Sequence, residues 1–112
     1  MWTRLTATEY LANSGHRVER LEISYAKLVS KLGKPHKNGD EDFPDDTDKV
    51  DVCWGFRNAG FVILIWNYKN GPAYNGEGVA LENVDRFSVF YVSPESWADF
   101  KASFEIGLRP TV

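Results

Sequence analysis

Apolar residues recur at helical spacing in three parts of the chain. Between Ser24 and Gly33 they occupy positions i, i+3, i+4 and i+7, which form one face of a helix. The serine is a good N-cap and the glycine a good C-terminal stop, so both ends of this helix are indicated. A Ser-Pro pair predicts the start of another helix, which spans 93–107. A Thr-x-x-Glu capping-box pattern opens a short helix over 6–11.

From residue 49 onward the period changes to two. Over 50–57, apolar residues alternate with polar or small ones, which predicts a half-buried strand. A short turn at 58–60 joins it to 61–68, which is apolar on both faces and typical of a central strand. The segment 87–92 predicts a third strand, whereas 18–23 is ambiguous between a strand and a linker.

These elements predict an α+β fold. Strands joined by hairpins form an antiparallel meander, and helices must cover one face of it because the sheet carries much aromatic surface. We therefore expect an antiparallel β-meander of three to four strands packed by two to three helices, in a single domain over 1–112.

The composition is that of an ordinary folded domain. Of 112 residues, 43% are hydrophobic and 26% charged, which excludes a disordered chain, a collagen and a coiled coil. The single cysteine, Cys53, cannot form an intramolecular disulfide, and its place in a strand predicts a buried, inert thiol. The longest apolar run, 61–66, is too short to span a membrane, and the first residues lack a signal-peptide pattern. We expect a cytoplasmic protein with no membrane partner.

Negative charge is concentrated in the segment 40–51. The whole chain has a net charge of −3, but this segment holds seven acidic residues and one lysine, a net charge of −6. The order of the acids does not match an EF-hand. Spaced carboxylates can occupy a basic groove built for nucleic acid, so we expect contact with a protein that has a basic surface and no direct nucleic-acid binding. The alternatives are a cation site and a solvated loop that keeps the protein soluble. The expected contact residues are Asp40, Glu41, Asp42, Phe43, Asp45, Asp46 and Asp48.

A glycine-rich segment, 69–83, follows the central strand. Its glycines permit close approach of the backbone to a ligand, although the Gly-Lys-Ser/Thr order of a P-loop is absent. A plain connection between strands is the other interpretation. The alternative function is therefore binding or sequestering of a small ligand, a nucleotide or signalling molecule, with a lysine facing its phosphate and aromatic rings stacking. The residues of that site are Trp66, Tyr68, Lys69 and Tyr74.

The inventory of reactive residues argues against catalysis. The two histidines, His16 and His36, lie in polar segments, and nothing in the spacing joins either of them to Cys53. Neither a Gly-x-Ser-x-Gly nucleophile motif nor a Cys-x-x-Cys pair occurs. We expect a non-catalytic protein with no metal site and no cofactor.

Three spaced motifs lie within 24–92: a helix ending in Leu-Gly-Lys-Pro at 32–35, a Lys-x-Asp-x-x-Trp strand at 49–54 and an Asn-Tyr-Lys-x-Gly strand end at 67–71. Together they resemble a set of small uncharacterised accessory proteins encoded by bacteriophages and prophages. This chain differs from that set in its longer acidic insertion at 40–48 and in a third strand without a Gly-Gly ending.

The resemblance implies a function class but no catalytic residue. It implies a phage-type accessory protein that binds and inhibits a host protein, such as a defence component of the CRISPR type, in the host cytoplasm. The acidic segment would be the contact surface. The residues leave the oligomeric state open, with a homodimer as one alternative.

Overall fold

The computed structural model describes residues 1–6, 9, 16–37, 50–72 and 79–107, and the fold is given for these residues. They contain two α-helices, a 3₁₀ turn at Leu81–Asn83 and six strands. The helices are α1 (Tyr25–Leu32) and α2 (Pro94–Phe104). The strands are β1 (Thr3–Arg4), β2 (Glu19–Glu22), β3 (His36–Lys37), β4 (Val52–Asn58), β5 (Phe61–Trp66) and β6 (Arg86–Tyr91).

The six strands form one antiparallel sheet that is five strands wide. Their order is β1, β4, β5, β6, β2, and β3 pairs with β4 as well. The predicted α+β fold is confirmed, and β4, β5 and β6 form the expected meander. The predicted count of three to four strands is too low. The strands β1 and β3 have two residues each, too few to show a period of two, and the ambiguous segment 18–23 forms β2.

Both helices begin at the serines that the sequence indicated. The hydroxyl of Ser24 accepts a hydrogen bond from a first-turn backbone N–H, and Ser93 forms a complete capping box. Helix α1 ends at Gly33, whose φ of 87° suits a residue without a side chain. Helix α2 ends at Phe104, before the predicted limit, because Glu105 adopts the left-handed conformation with φ 56°.

The predicted helix over 6–11 is described only at Thr6 and Glu9. The backbone N–H of Thr6 donates to Oε1 of Glu9 (3.0 Å), and the backbone N–H of Glu9 donates to Oγ1 of Thr6 (3.1 Å). These are the two reciprocal bonds of the expected capping box. The rest of that segment lies outside the described residues.

One face of the sheet packs against both helices and forms the core. Trp54 is fully buried there, and its indole N–H donates to the carbonyl oxygen of Gly33 (2.9 Å). Its ring meets the ring of Phe87 edge-on, with centroids 5.8 Å apart. Phe56 contacts Phe100 of α2 at 5.4 Å. Such aromatic pairs add about 0.5–1.5 kcal/mol beyond the burial of their area.

The opposite face of the sheet is buried in its middle. Cys53 and Leu64 are 3% and 1% exposed, which confirms the predicted burial of the thiol. The strand predicted for 50–57 is present as β4, but its predicted half-burial is wrong, since β4 is buried on both faces over its first five residues. The alternate positions hold a cysteine and a glycine, small residues that a hydrophobic pattern counts as neutral although they pack closely. None of the helices in the described residues has the length and apolar character needed to cross a membrane.

Candidate functional site

The residues predicted to contact a partner protein, within 40–48, lie outside the described residues, and so does Tyr74. The other residues of the predicted ligand site are described. Trp66 ends β5, and Tyr68 and Lys69 lie in the turn that follows it. Next to this turn lies a cleft that the sequence did not indicate.

The cleft lies on the face of the sheet away from the helices and has a volume of about 190 Å³. Its walls come from β2 and the residues before it, from the start of β6, and from the turn after β5. It is lined by Arg17, Arg20, Tyr68, Asn70, Arg86, Phe87 and Ser88. Of the seven described residues that line it, three are arginines and none is acidic. We call it the arginine cleft.

The strand register explains why these residues meet. Trp66 on β5 is the cross-strand partner of Ser88 on β6, and Ser88 is the partner of Arg20 on β2. Cross-strand partners lie on the same sheet face, and neighbouring strands are about 4.8 Å apart. A tryptophan, a serine and an arginine thus form one row across three strands. Trp66 borders the cleft without lining it, whereas Tyr68 lines it.

The arginines give the cleft a positive charge that nearby acids offset only weakly. Among the described residues, the side chains of Arg17 and Arg20 form no ion pair or hydrogen bond. Arg86 contacts Asp85 (Nε to Oδ1, 3.7 Å), and both side chains are more than half exposed. Glu22 is exposed and is the cross-strand partner of Arg86. Because exposed pairs contribute little, the guanidinium groups remain available to an anion.

Ser88 supplies a hydroxyl to the same cleft. The residue is 7% exposed, and its hydroxyl has no hydrogen-bond partner among the described residues. No buried side-chain nitrogen or oxygen of the described residues lacks a partner, so this hydroxyl is open to the cleft and not buried without one. A hydroxyl can donate to a ligand oxygen. Ser88 therefore adds a neutral donor beside the arginines.

A hydrogen-bond network centred on Asn67 fixes one wall of the cleft. Asn67 is fully buried, and its Oδ1 accepts from the backbone N–H groups of Asp51 (2.8 Å) and Val52 (2.9 Å). Its Nδ2 donates to Oδ2 of Asp51 (2.9 Å) and Oδ1 of Asn70 (3.3 Å). Nδ2 of Asn70 donates in turn to the carbonyl oxygen of Arg86 (2.9 Å). The turn is thus attached to β4 and β6, which reduces the ordering that a ligand would have to impose.

Lys69 lies beside Tyr68 and not along the cleft wall. Its φ of 58° is in the left-handed region, which lets the chain turn sharply after β5. Its ammonium group lies 5.3 Å from the centroid of the Tyr68 ring. That distance suits a cation–π contact. The contact of Lys69 with a ligand phosphate remains a prediction, because Lys69 is not among the residues that line the cleft.

The sheet also brings together His36, Cys53 and Arg4, which no sequence spacing linked. His36 is the cross-strand partner of Cys53, and Nε of Arg4 donates to Nε2 of His36 (3.4 Å). Burial lowers the pKa of Arg4, and the nearby Cys53 opposes this effect. The thiol faces a buried environment, so we assign this cluster to packing at the β1–β3 edge. Within the described ranges, no group of three or more His, Cys, Asp or Glu side chains could hold a metal ion.

The sequence analysis missed the main polar residues of the cleft. Arg20 comes from the segment that was ambiguous between strand and linker, and Arg17 directly precedes that segment. Arg86 and Ser88 come from a strand nearly seventy residues later. The sequence held one signal: Arg86 and Ser88 are two positions apart on a strand, so their side chains lie on the same sheet face. The pairing of β2 with β6 is what brings Arg17 and Arg20 next to Arg86 and Ser88.

Comparison with known proteins adds no relative. No protein-family model, no curated protein and no solved structure matches the chain. The resemblance to phage and prophage accessory proteins therefore stays a prediction. The functional conclusion rests on the chemistry of the chain's own residues.

Proposed function

We propose that this protein is a non-catalytic binding protein that holds or sequesters a small phosphorylated ligand in the arginine cleft. The observation that carries the proposal is the convergence of Arg17, Arg20 and Arg86 on one cleft, which no acidic side chain of the described residues lines. Of the two functions expected from the sequence, ligand binding is the one that the chemistry of this cleft favours.

Arginine side chains suit phosphate for a geometric reason. Each guanidinium group presents five N–H donors in a planar fork and can bind two oxygens of a phosphoryl group at once. Arg20 lies on β2, Arg17 precedes that strand, and Arg86 lies on β6, so the three side chains come from separate backbone positions around the cleft. Sites for drug-sized ligands measure about 300–1,000 Å³. The smaller arginine cleft therefore suits a phosphoryl group and the adjoining part of its carrier.

Calorimetric titration of the full chain with AMP tests the proposal. We expect saturable binding that weakens more than about tenfold in Arg20→Ala, since a hydrogen bond to a charged group contributes about 1.5–3 kcal/mol. The matched control is Arg57→Ala. Arg57 lies on the same sheet face and pairs with Glu9 (3.2 Å), but it does not line the cleft. Absence of binding by the unmodified protein, or equal loss in both variants, would contradict the proposal.

The acidic segment 40–51 supports a second candidate from a different class. Its net charge of −6 suits a phage-type accessory protein that inhibits a host protein through a basic surface. One of its acids, Asp51, is part of the fold because it accepts a hydrogen bond from Asn67. The six acids within 40–48 are then the ones to carry such a contact.

Charge reversal distinguishes this second candidate from ligand binding. Tagged protein is incubated with a bacterial lysate, and bound proteins are eluted in a salt gradient. The triple variant Asp42→Lys, Asp45→Lys, Asp46→Lys should lose a basic partner at an unchanged melting temperature. A control with the same change in charge reverses three exposed acids elsewhere: Glu82, Glu95 and Glu105. Retention of the partner by both triple variants would exclude the acidic segment as the contact surface.

A further inference from the structure

The polar groups that line the arginine cleft are mainly hydrogen-bond donors. Arginine side chains have N–H groups and no acceptor. The amide of Asn70 is already used, since its Nδ2 donates to the carbonyl oxygen of Arg86 and its Oδ1 accepts from Asn67. Of the carboxylates that neighbour the arginines in sequence, Glu22 and Asp85 are exposed, and Glu19 accepts hydrogen bonds from Trp97 and Tyr91. None of the three lines the cleft. Among the described residues, a ligand in the cleft therefore meets many donors and few acceptors.

This imbalance selects among phosphorylated ligands by their own protonation. A phosphate monoester loses its second proton with a pKa of about 6. Its monoanion carries a P–O–H group that needs an acceptor, whereas its dianion presents three oxygens that only accept. A phosphodiester carries a single negative charge near neutral pH. The site would also have to accommodate the carbon of its second ester bond. Donors on three sides thus favour the dianion of a terminal monoester over both alternatives.

We infer that the arginine cleft selects a terminal phosphate monoester in its dianionic form, with the hydroxyl of Ser88 donating to one phosphoryl oxygen. This inference rests on the proposed function and specifies its ligand class. Ser88 is 7% exposed and has no hydrogen-bond partner among the described residues, so its hydroxyl is free to rotate toward a ligand oxygen. Tyr68, which is 43% exposed, provides a ring surface for the organic group that carries the phosphate.

The expected pH dependence belongs to the ligand and not to the charged groups around it. Strand β2 and the residues before it contribute Arg17, Arg20 and Glu22. Strand β6 and the residue before it contribute Arg86 and Asp85, and the turn after β5 contributes Tyr68 and Lys69. His16 precedes strand β2. A change in the charge of any of these groups would alter the affinity for every anion, so it would appear in a sulfate titration as well as in an AMP titration.

Three probes test the inference on the full chain: AMP, 3′,5′-cyclic AMP and inorganic sulfate, each titrated at pH 7.5 and pH 5.0. AMP and cyclic AMP share a base and a ribose and differ in the second ester bond. Sulfate keeps two negative charges at both pH values. A change in its affinity between the two pH values therefore reports a change in the protein and not in the ligand. We expect AMP to bind at least about tenfold more tightly than cyclic AMP at pH 7.5. Relative to sulfate, AMP should weaken about tenfold at pH 5.0, where about a tenth of it is dianionic.

Ser88→Ala tests the hydroxyl directly. We expect AMP affinity to fall about three- to tenfold, while Ser30→Ala, an exposed serine on α1, leaves it unchanged. Equal affinity for AMP and cyclic AMP, or no pH dependence of AMP relative to sulfate, overturns the inference but leaves anion binding in place. Unchanged AMP affinity in Ser88→Ala overturns the role of the hydroxyl. If neither AMP nor sulfate binds at pH 7.5, both the inference and the proposed function fail.

Discussion

The indole N–H of Trp97 on α2 donates a hydrogen bond to the carboxylate of Glu19 on β2, with Nε1 and Oε2 2.8 Å apart. The other carboxylate oxygen of Glu19 accepts from the hydroxyl of Tyr91 (3.4 Å), whose ring stacks on Trp97 at 5.9 Å. Strand β2 has four residues and lies at the end of the strand order, where its one partner among the described strands is β6. These bonds attach the strand that carries Arg20 to the helical layer, so they connect the stability of the fold to the geometry of the arginine cleft.

Replacing Glu19 with alanine should destabilise the protein by about 1–3 kcal/mol, because the buried indole N–H loses a charged acceptor. Denaturant unfolding followed by tryptophan fluorescence measures this change. The control is Glu22→Ala on the same strand, which is exposed and lies on the other sheet face. Its effect should stay within about 0.5 kcal/mol. Equal destabilisation by the two substitutions would contradict a specific role for the bond between Glu19 and Trp97.

Tyr91 should make the protein less stable at alkaline pH. Desolvation raises the pKa of Tyr91, and the negative charge and hydrogen bond of Glu19 raise it further. Since the folded state holds the phenolic proton more tightly, this contribution to stability is complete below the ordinary pKa of about 10 and is lost as the pH rises through the folded-state value. The free energy of unfolding, measured from pH 8 to 11, should fall less steeply in Tyr91→Phe. Identical slopes in the two proteins would contradict this assignment.

Gly71 is required by close packing in the turn that forms one wall of the cleft. A Cβ atom at this position would collide with the carboxylate of Asp51 and lie 2.7 Å from Nδ2 of Asn67. Gly71→Ala should therefore destabilise the protein by about 1–3 kcal/mol through overpacking. Gly60→Ala is the matched control, because a Cβ there meets nothing within 4 Å. Urea unfolding of the two variants compares them, and a neutral Gly71→Ala would show that the turn shifts freely.

Local signals made much of the fold predictable. The serine caps of both helices act within one helical turn, and the hairpin between β4 and β5 follows from alternation and a short turn. The two-residue strands could not be predicted, because pairing with β4 creates them and their own sequence carries no period. The burial of β4 on both faces was missed for a related reason, since small residues at alternate positions of a strand carry no hydrophobic pattern of their own.

The candidate site was predictable only where its residues are close in sequence. Tyr68 and Lys69 stood out because an aromatic and a basic residue adjoin a glycine-rich segment. Arg20 and Ser88 did not, because they become neighbours only through the register of β2 on β6. A charged residue in an ambiguous segment looks like any solvated residue until strand pairing gives it a partner.

Asn70 should influence both ligand binding and stability. It links the turn to Asn67 and to the carbonyl oxygen of Arg86, and it lines the cleft. In Asn70→Ala the turn loses both links, so a ligand must order this wall as it binds. Ordering a side chain costs about 0.5–1.5 kcal/mol, which predicts a two- to tenfold loss of AMP affinity.

Calorimetry and thermal unfolding of the same Asn70→Ala sample separate the two effects. The loss of stability should be about 1 kcal/mol, as for an ordinary hydrogen bond between neutral groups. Asn83→Ala, at an exposed position in the 3₁₀ turn, should change neither quantity. If Asn70→Ala lowers stability and leaves AMP affinity intact, the network stabilises the fold without positioning the cleft. Loss of affinity at nearly native stability would show that the turn is held in place for the ligand.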